Sequence, residues 1–100
     1  MVNITSMEKK VISKVLPTIR NFATKNHGAV YSGESEVTVR IKRDSILTIQ
    51  VLTVKSQERW ALEITGIATS GREIFRSKIA IPDEPSNFDL TLLQSELERI

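Results

Sequence analysis

The sequence predicts an α+β domain of two layers: an N-terminal helix, a four-stranded antiparallel meander and a C-terminal helix, all within one domain spanning residues 1–100. Three observations predict it. Apolar residues recur at helical spacing up to Ala23, alternate from Glu36 to Ile81, and return to helical spacing after Pro85. Short polar segments cut the alternating stretch into four runs. Pro82 and Pro85 then close the strand region, because proline cannot donate to a sheet ladder.

Thr5 and Glu8 have the spacing of a capping box ahead of the first helix. Met7, Val11, Val15, Ile19 and Phe22 follow, and Ile12, Leu16 and Ala23 widen them into a core-facing stripe that Lys9, Lys10, Lys14 and Arg20 largely avoid. Pro17 should kink this helix near Ser13 or restart it. Asn26-His27-Gly28 ends it, with Gly28 expected as the left-handed residue. Residues 29–35 read as a connector.

Four strand runs come next: EVTVRIK, ILTIQVLTV, RWALEITGIAT and REIFRSKIAI. A two-residue Ser70-Gly71 loop would set Gly66 against Phe75, Leu62 against Ile79, Glu63 against Lys78 and Ile67 against Ile74. A four-residue Lys55–Glu58 loop would set Val51 against Leu62 and Ile49 against Ile64. The first hairpin needs an odd loop, Arg43 to Ser45, to keep Val37, Val39 and Ile41 on the face of Ile49 and Val51. The inner face then carries Val37, Val39, Ile41, Leu47, Ile49, Val51, Trp60, Leu62, Ile64, Phe75, Ile79 and Ile81, with Trp60 mostly buried. After Pro85, Ser86 or Asn87 can cap a last helix that turns Leu90, Leu93, Leu97 and Ile100 to one side.

Composition narrows the function. Hydrophobic residues make up 40% and charged residues 26%, so disorder and fibrous repeats are excluded. Cysteine is absent, which removes disulfides, thiolate nucleophiles and cysteine-ligated zinc. The N-terminus lacks the apolar core of a signal peptide and no run reaches the ~20 residues of a membrane span, so a cytoplasmic protein without membrane contact is expected. Residues 1–43 carry eight Lys/Arg against three acids, and residues 82–100 one against five. That polarity points to a charged partner or to head-to-tail complementarity.

The sequence offers no catalytic, cofactor or metal site. His27 is the only histidine and sits at a helix end, where it more often meets the carbonyl dipole than does chemistry. The four glycines form neither a dinucleotide fingerprint nor a phosphate loop, and no nucleophile elbow surrounds any serine. Asp83, Glu84, Asn87 and Asp89 miss the spacing of a calcium loop; acids ahead of a helix complement its dipole.

What remains is the outer sheet face. Its middle is polar, but Ile46, Ile67 and Ile74 cluster at one end, and Leu52, Val54 and Ala61 with Ala80 at the other. Ile46, Leu52, Val54, Ile67 and Ile74, with Ala61, are the candidates for protein binding, most simply in a homodimer. Arg40, Lys42, Arg76 and Lys78 on the same face are the candidates for the competing partner, nucleic acid; on edge strands they would instead guard against strand addition. The order of elements resembles double-stranded RNA binding domains in outline only. Those have three strands, and their second helix starts on lysines where this chain has acids. A non-enzymatic binding or adaptor module acting through its sheet face is therefore the expectation.

Overall fold

The computed structural model describes residues 6–42 and 46–100, with the backbone alone for Ser6, Lys42, Ile46 and Leu47. These residues form helix α1 (Ser6–Lys25), strands β1 (Ala29–Ser32), β2 (Glu36–Lys42), β3 (Ile46–Ser56), β4 (Arg59–Ile67) and β5 (Glu73–Ala80), a 3-10 turn (Pro85–Asn87) and helix α2 (Leu90–Glu98). The five strands pair in chain order as one open antiparallel sheet. Thr5, the first half of the expected capping box, and the Arg43–Ser45 turn lie outside the described residues.

The stripe on α1 is buried as its spacing predicts: Val11, Ile12, Val15, Ile19 and Ala23 are in the core, with Met7, Leu16 and Phe22 packed beside them. The helix runs through Pro17 as one element rather than restarting there. Ser13 and Pro17 are both exposed, so the carbonyl that Pro17 leaves without a donor faces water. At the C-terminal end the amide of Gly28 donates to the Ala23 carbonyl at 2.7 Å and that of His27 to Thr24 at 3.3 Å. This is a Schellman ending, and its left-handed residue is His27, at φ 54°, not Gly28. Gly28 serves another need: a Cβ there would stand 2.9 Å from the Arg40 carbonyl oxygen. Glycine is required for the close approach of helix end to sheet, not for its backbone angle.

The expected connector contains a fifth strand. β1 pairs with β2, setting Val30 against Val39 and Tyr31 against Thr38. Only Val30 packs against the core, so a four-residue strand with one half-buried side chain leaves no alternating signature. β2 and β3 pair as expected, with Val39 opposite Ile49 and Val37 opposite Val51.

The next two hairpins correct their expected turns. Between β3 and β4 the turn is only Gln57-Glu58, both left-handed at φ 50° and 64°, so Ser56 pairs with Arg59 and Val51 meets Ile64 rather than Leu62. Between β4 and β5 the loop has three residues, Thr69 to Gly71, with Ala68 and Arg72 joined by the Ala68 amide at 2.9 Å and Gly71 at φ 85°. A bulge between Gly66 and Ile67 absorbs the extra residue, so Ile67 faces Glu73 and not Ile74. Below the bulge the expected pairs hold: Gly66 with Phe75, Glu63 with Lys78 and Leu62 with Ile79.

Both helices lie on one side of the sheet. α1 packs on β1, β2 and the 3-10 turn, and α2 on α1 and β5. Val37, Val39, Ile41, Ile49, Val51, Leu62 and Ile64 are fully buried beneath them, with Ile79 and Ile81 nearly so. Phe75 and Trp60 are only half-buried at the margin of this core. For Trp60 that corrects the expected burial: it sits at the far end of the sheet, with the Lys55 ammonium 5.6 Å from its ring centroid. The cap of α2 is Asp89, whose Oδ1 accepts from the Leu92 amide at 3.1 Å; Ser86 and Asn87 belong to the 3-10 turn before it. Leu93 and Leu97 are buried, and Leu90 and Ile100 pack against the core, as the spacing predicts.

Candidate functional site

Strand alternation sends every second residue of the sheet away from the helices. With α1 and α2 on the inner side, no described element covers the outer face. The pairing orders that face into rows across the strands. Ala29, Arg40, Thr48 and Ile67 form one row, and Tyr31, Thr38, Gln50, Thr65 and Arg76 the next. Glu36, Leu52, Glu63 and Lys78 form a third, and Val54, Ala61 and Ala80 a fourth.

The structure thus brings Val54, Ala61 and Ala80 side by side, with Leu52 one row away. At the other end Ile67 stands beside Thr48. Ile74 is displaced from it as the extra residue of the bulge on edge strand β5, 56% exposed. The side chains of Ile46 and Lys42 lie outside the described residues; their backbones pair with each other. Leu52, Val54, Ala61 and Ile67 are half-buried by their neighbours alone.

Charge on the face is organised around Glu63, whose side chain is 13% exposed. Its Oε2 lies 3.6 Å from Arg76 Nη1 and 3.7 Å from Lys78 Nζ. Arg76 also donates from Nε and Nη2 to Glu73 Oε1, at 3.1 and 2.6 Å. The bulge makes this possible, because residues three apart on a regular strand point to opposite faces. The Glu73 hydrogen bond, then the charges of Glu73 and Glu63, hold the exposed Arg76 guanidinium above its ordinary pKa. Two of the four cations proposed for nucleic acid are therefore paired with carboxylates. Arg40 stands three strands away on β2, about 14 Å across the sheet. Since β1 flanks β2, Arg40 is not an edge guard either. The true edges are a four-residue β1 and a bulged, charged β5, both poor templates for an added strand.

Tyr31 is a surface aromatic that the connector expected over residues 29–35 does not reveal. It stands on the outer face, 58% exposed. Its only sequence signal was the β-favouring Val30-Tyr31 pair between turn residues.

Other candidate chemistry resolves into structure. His27 is exposed at its helix end. Asp89 caps α2, and Glu84 accepts from Ser86 Oγ at 3.2 Å. Among the described residues no three His, Asp or Glu side chains could hold a metal ion. Glu84 shares a shallow surface groove with Lys9, Lys10 and Lys14, so the basic front and acidic tail of the chain meet within the fold. A cleft of about 490 Å³ opens between the last turns of α1 and α2, with Phe22, Leu97 and Ile100 in its wall.

Fold and site together define a two-layer α+β protein with helices on one face of a five-stranded antiparallel sheet and no described element over the other. Among the described residues no helix is long and apolar enough to cross a membrane. No known protein family, curated protein or solved structure matches the chain.

Proposed function

We propose that this protein is a non-enzymatic binding module whose outer sheet face takes a protein partner, and that the partner is a second copy of the chain. The observation that carries the reading is the bare face itself: five strands with Leu52, Val54, Ala61 and Ile67 turned away from the core and no described element over them. A solvated sheet face alternates to polar along its length; this one does so only in its middle rows.

Area supports a second copy. Five strands about 4.8 Å apart, at about 3.4 Å per residue, project roughly 600 Å², and a side-chain-covered surface exceeds its projection. A specific interface covers about 800 Å² per subunit. Both edges resist strand addition, which leaves the face as the surface to bury.

Light scattering coupled to size exclusion tests this, with loading up to about 1 mM chain, where an association of only about 4 kcal/mol is half complete. The wild-type chain is expected to run as a dimer, and Leu52→Glu or Ile67→Glu to run as a folded monomer. A wild-type monomer would overturn the reading. If that monomer instead binds single-stranded RNA or DNA with a steep loss of affinity in salt, the cations of the face are the site.

A further inference from the structure

We infer that the second copy docks about a two-fold axis lying in the interface, parallel to the strands and between β3 and β4. This inference rests on the outer face being a self-association surface. Two identical sheet faces can meet only in an isologous contact, so each residue is set against a partner by the position of the axis. The rows established by the strand pairing allow each placement to be read off.

An axis across the strands keeps β5 over β5. Placed between the Gln50 and Leu52 rows, it sets Arg76 of one copy against Lys78 of the other. An axis along β3 carries β2 over β4 and sets Glu36 against Glu63. An axis along β4 sets Glu63 against its own counterpart. Each of these brings like charges together, which costs association free energy.

The axis between β3 and β4 does the opposite. It carries β5 of the second copy over β2, so Glu36 meets Lys78 and Arg40 meets Glu73. It also lays Val54 over Ala61, apolar on apolar, Gln50 over Thr65, and Leu52 over Glu63, the one apolar-on-charged pair of this placement. Tyr31, one strand beyond β2, then flanks the second copy's β5 edge. Sheets packed face to face stand about 10 Å apart, within reach of opposed lysine, arginine and glutamate side chains. Strand directions stay aligned about this axis, as in ordinary sheet-on-sheet packing.

Charge exchange tests the placement. Glu36, Arg40, Glu73 and Lys78 are all exposed, so each variant is expected to fold. Sedimentation equilibrium on Glu36→Lys and on Lys78→Glu is expected to show a dimer Kd raised about tenfold or more, and the double variant to recover most of that loss. Arg40→Glu and Glu73→Arg provide a second, independent cycle. Singles that leave Kd unchanged, or doubles that only add the losses, would overturn this axis while a dimer broken by Leu52→Glu leaves the face reading intact. A wild-type chain that stays monomeric would overturn both.

Discussion

The two faces of the sheet are built from the same five strands and differ in almost everything else. On the inner face, Val37, Ile49, Val51, Leu62 and Ile64 lose all contact with water beneath α1 and α2. On the outer face, the intervening Thr38, Gln50, Leu52 and Glu63 are partly exposed, and Arg76 and Lys78 are exposed. The inner face is held by apolar burial, which is non-directional and grows with area. The outer face is held by pairs: Glu63 between Arg76 and Lys78, and Glu73 with Arg76. The cations of these pairs are solvent-exposed and screened, so the pairs add little to the stability of the fold. The inner face therefore carries the stability of the fold, which leaves the outer face free to vary its chemistry for a partner.

The largest effect that would break this contrast is on the inner face. Ile64 lies in the centre of β4, fully buried, opposite Val51 on β3. Ile64→Ala removes side-chain atoms that the packed helices cannot follow, and is expected to cost about 2–5 kcal/mol in urea unfolding. Ile67→Ala, three residues along the same strand on the outer face, is expected to cost less than about 1.5 kcal/mol under conditions where the chain is monomeric. Equal losses would show that the outer face is as much a core as the inner one.

Trp60 sharpens the contrast at the boundary. It belongs to the inner face by alternation, yet it is half-buried beside Lys55. Trp60→Ala is expected to cost about 1–3 kcal/mol, below the range for a fully enclosed aromatic residue. The wild-type tryptophan emission should be quenched in part by iodide. Complete protection from iodide would place the ring in the core.

Why the faces were legible in the sequence and the pairings less so follows from one physical property of strands. The hydrophobic pattern encodes parity, since a slip of one residue exchanges the faces and a slip of two does not. The β3–β4 pairing differs from its expected register by two residues, so every inner residue stayed inner. What set the register was the Gln57-Glu58 turn, and neither residue announces a left-handed conformation as Asn-Gly would. The β4–β5 loop gained one residue at Thr69 and lost it again at the Ile74 bulge, two local events that cancel below Gly66. Of the candidate site, the Leu52, Val54 and Ala61 cluster was readable because it needs parity only. The Ile67–Ile74 contact was not, because it needs register. Tyr31 is not legible because a four-residue strand with one half-buried side chain has no period to detect.

The smallest effect lies off both faces, where α1 hands the chain to β1. Sequence reasoning assigns the left-handed position to Gly28, whereas His27 occupies it at φ 54° and Gly28 instead passes within 2.9 Å, at its missing Cβ, of the Arg40 carbonyl. The two assignments predict opposite signs. With His27 in the left-handed region, His27→Gly relieves the clash of Cβ with its own backbone, partly offset by the greater freedom of glycine in the unfolded chain. The net gain is expected to be about 0.5–1 kcal/mol. Gly28→Ala is expected to lose about 1–3 kcal/mol, because the obstructing atom is backbone in a paired strand and cannot step aside. Thermal unfolding followed by circular dichroism would read both. If His27→Gly destabilises the chain while Gly28→Ala is tolerated, the helix ends as the sequence alone implied, and the close approach of α1 to β2 at Gly28 is wrong. The stabilised His27→Gly chain should also keep whatever dimer affinity the wild type has, since residue 27 lies on neither sheet face. A changed affinity would tie the helix end to the interface and blur the separation of the two faces.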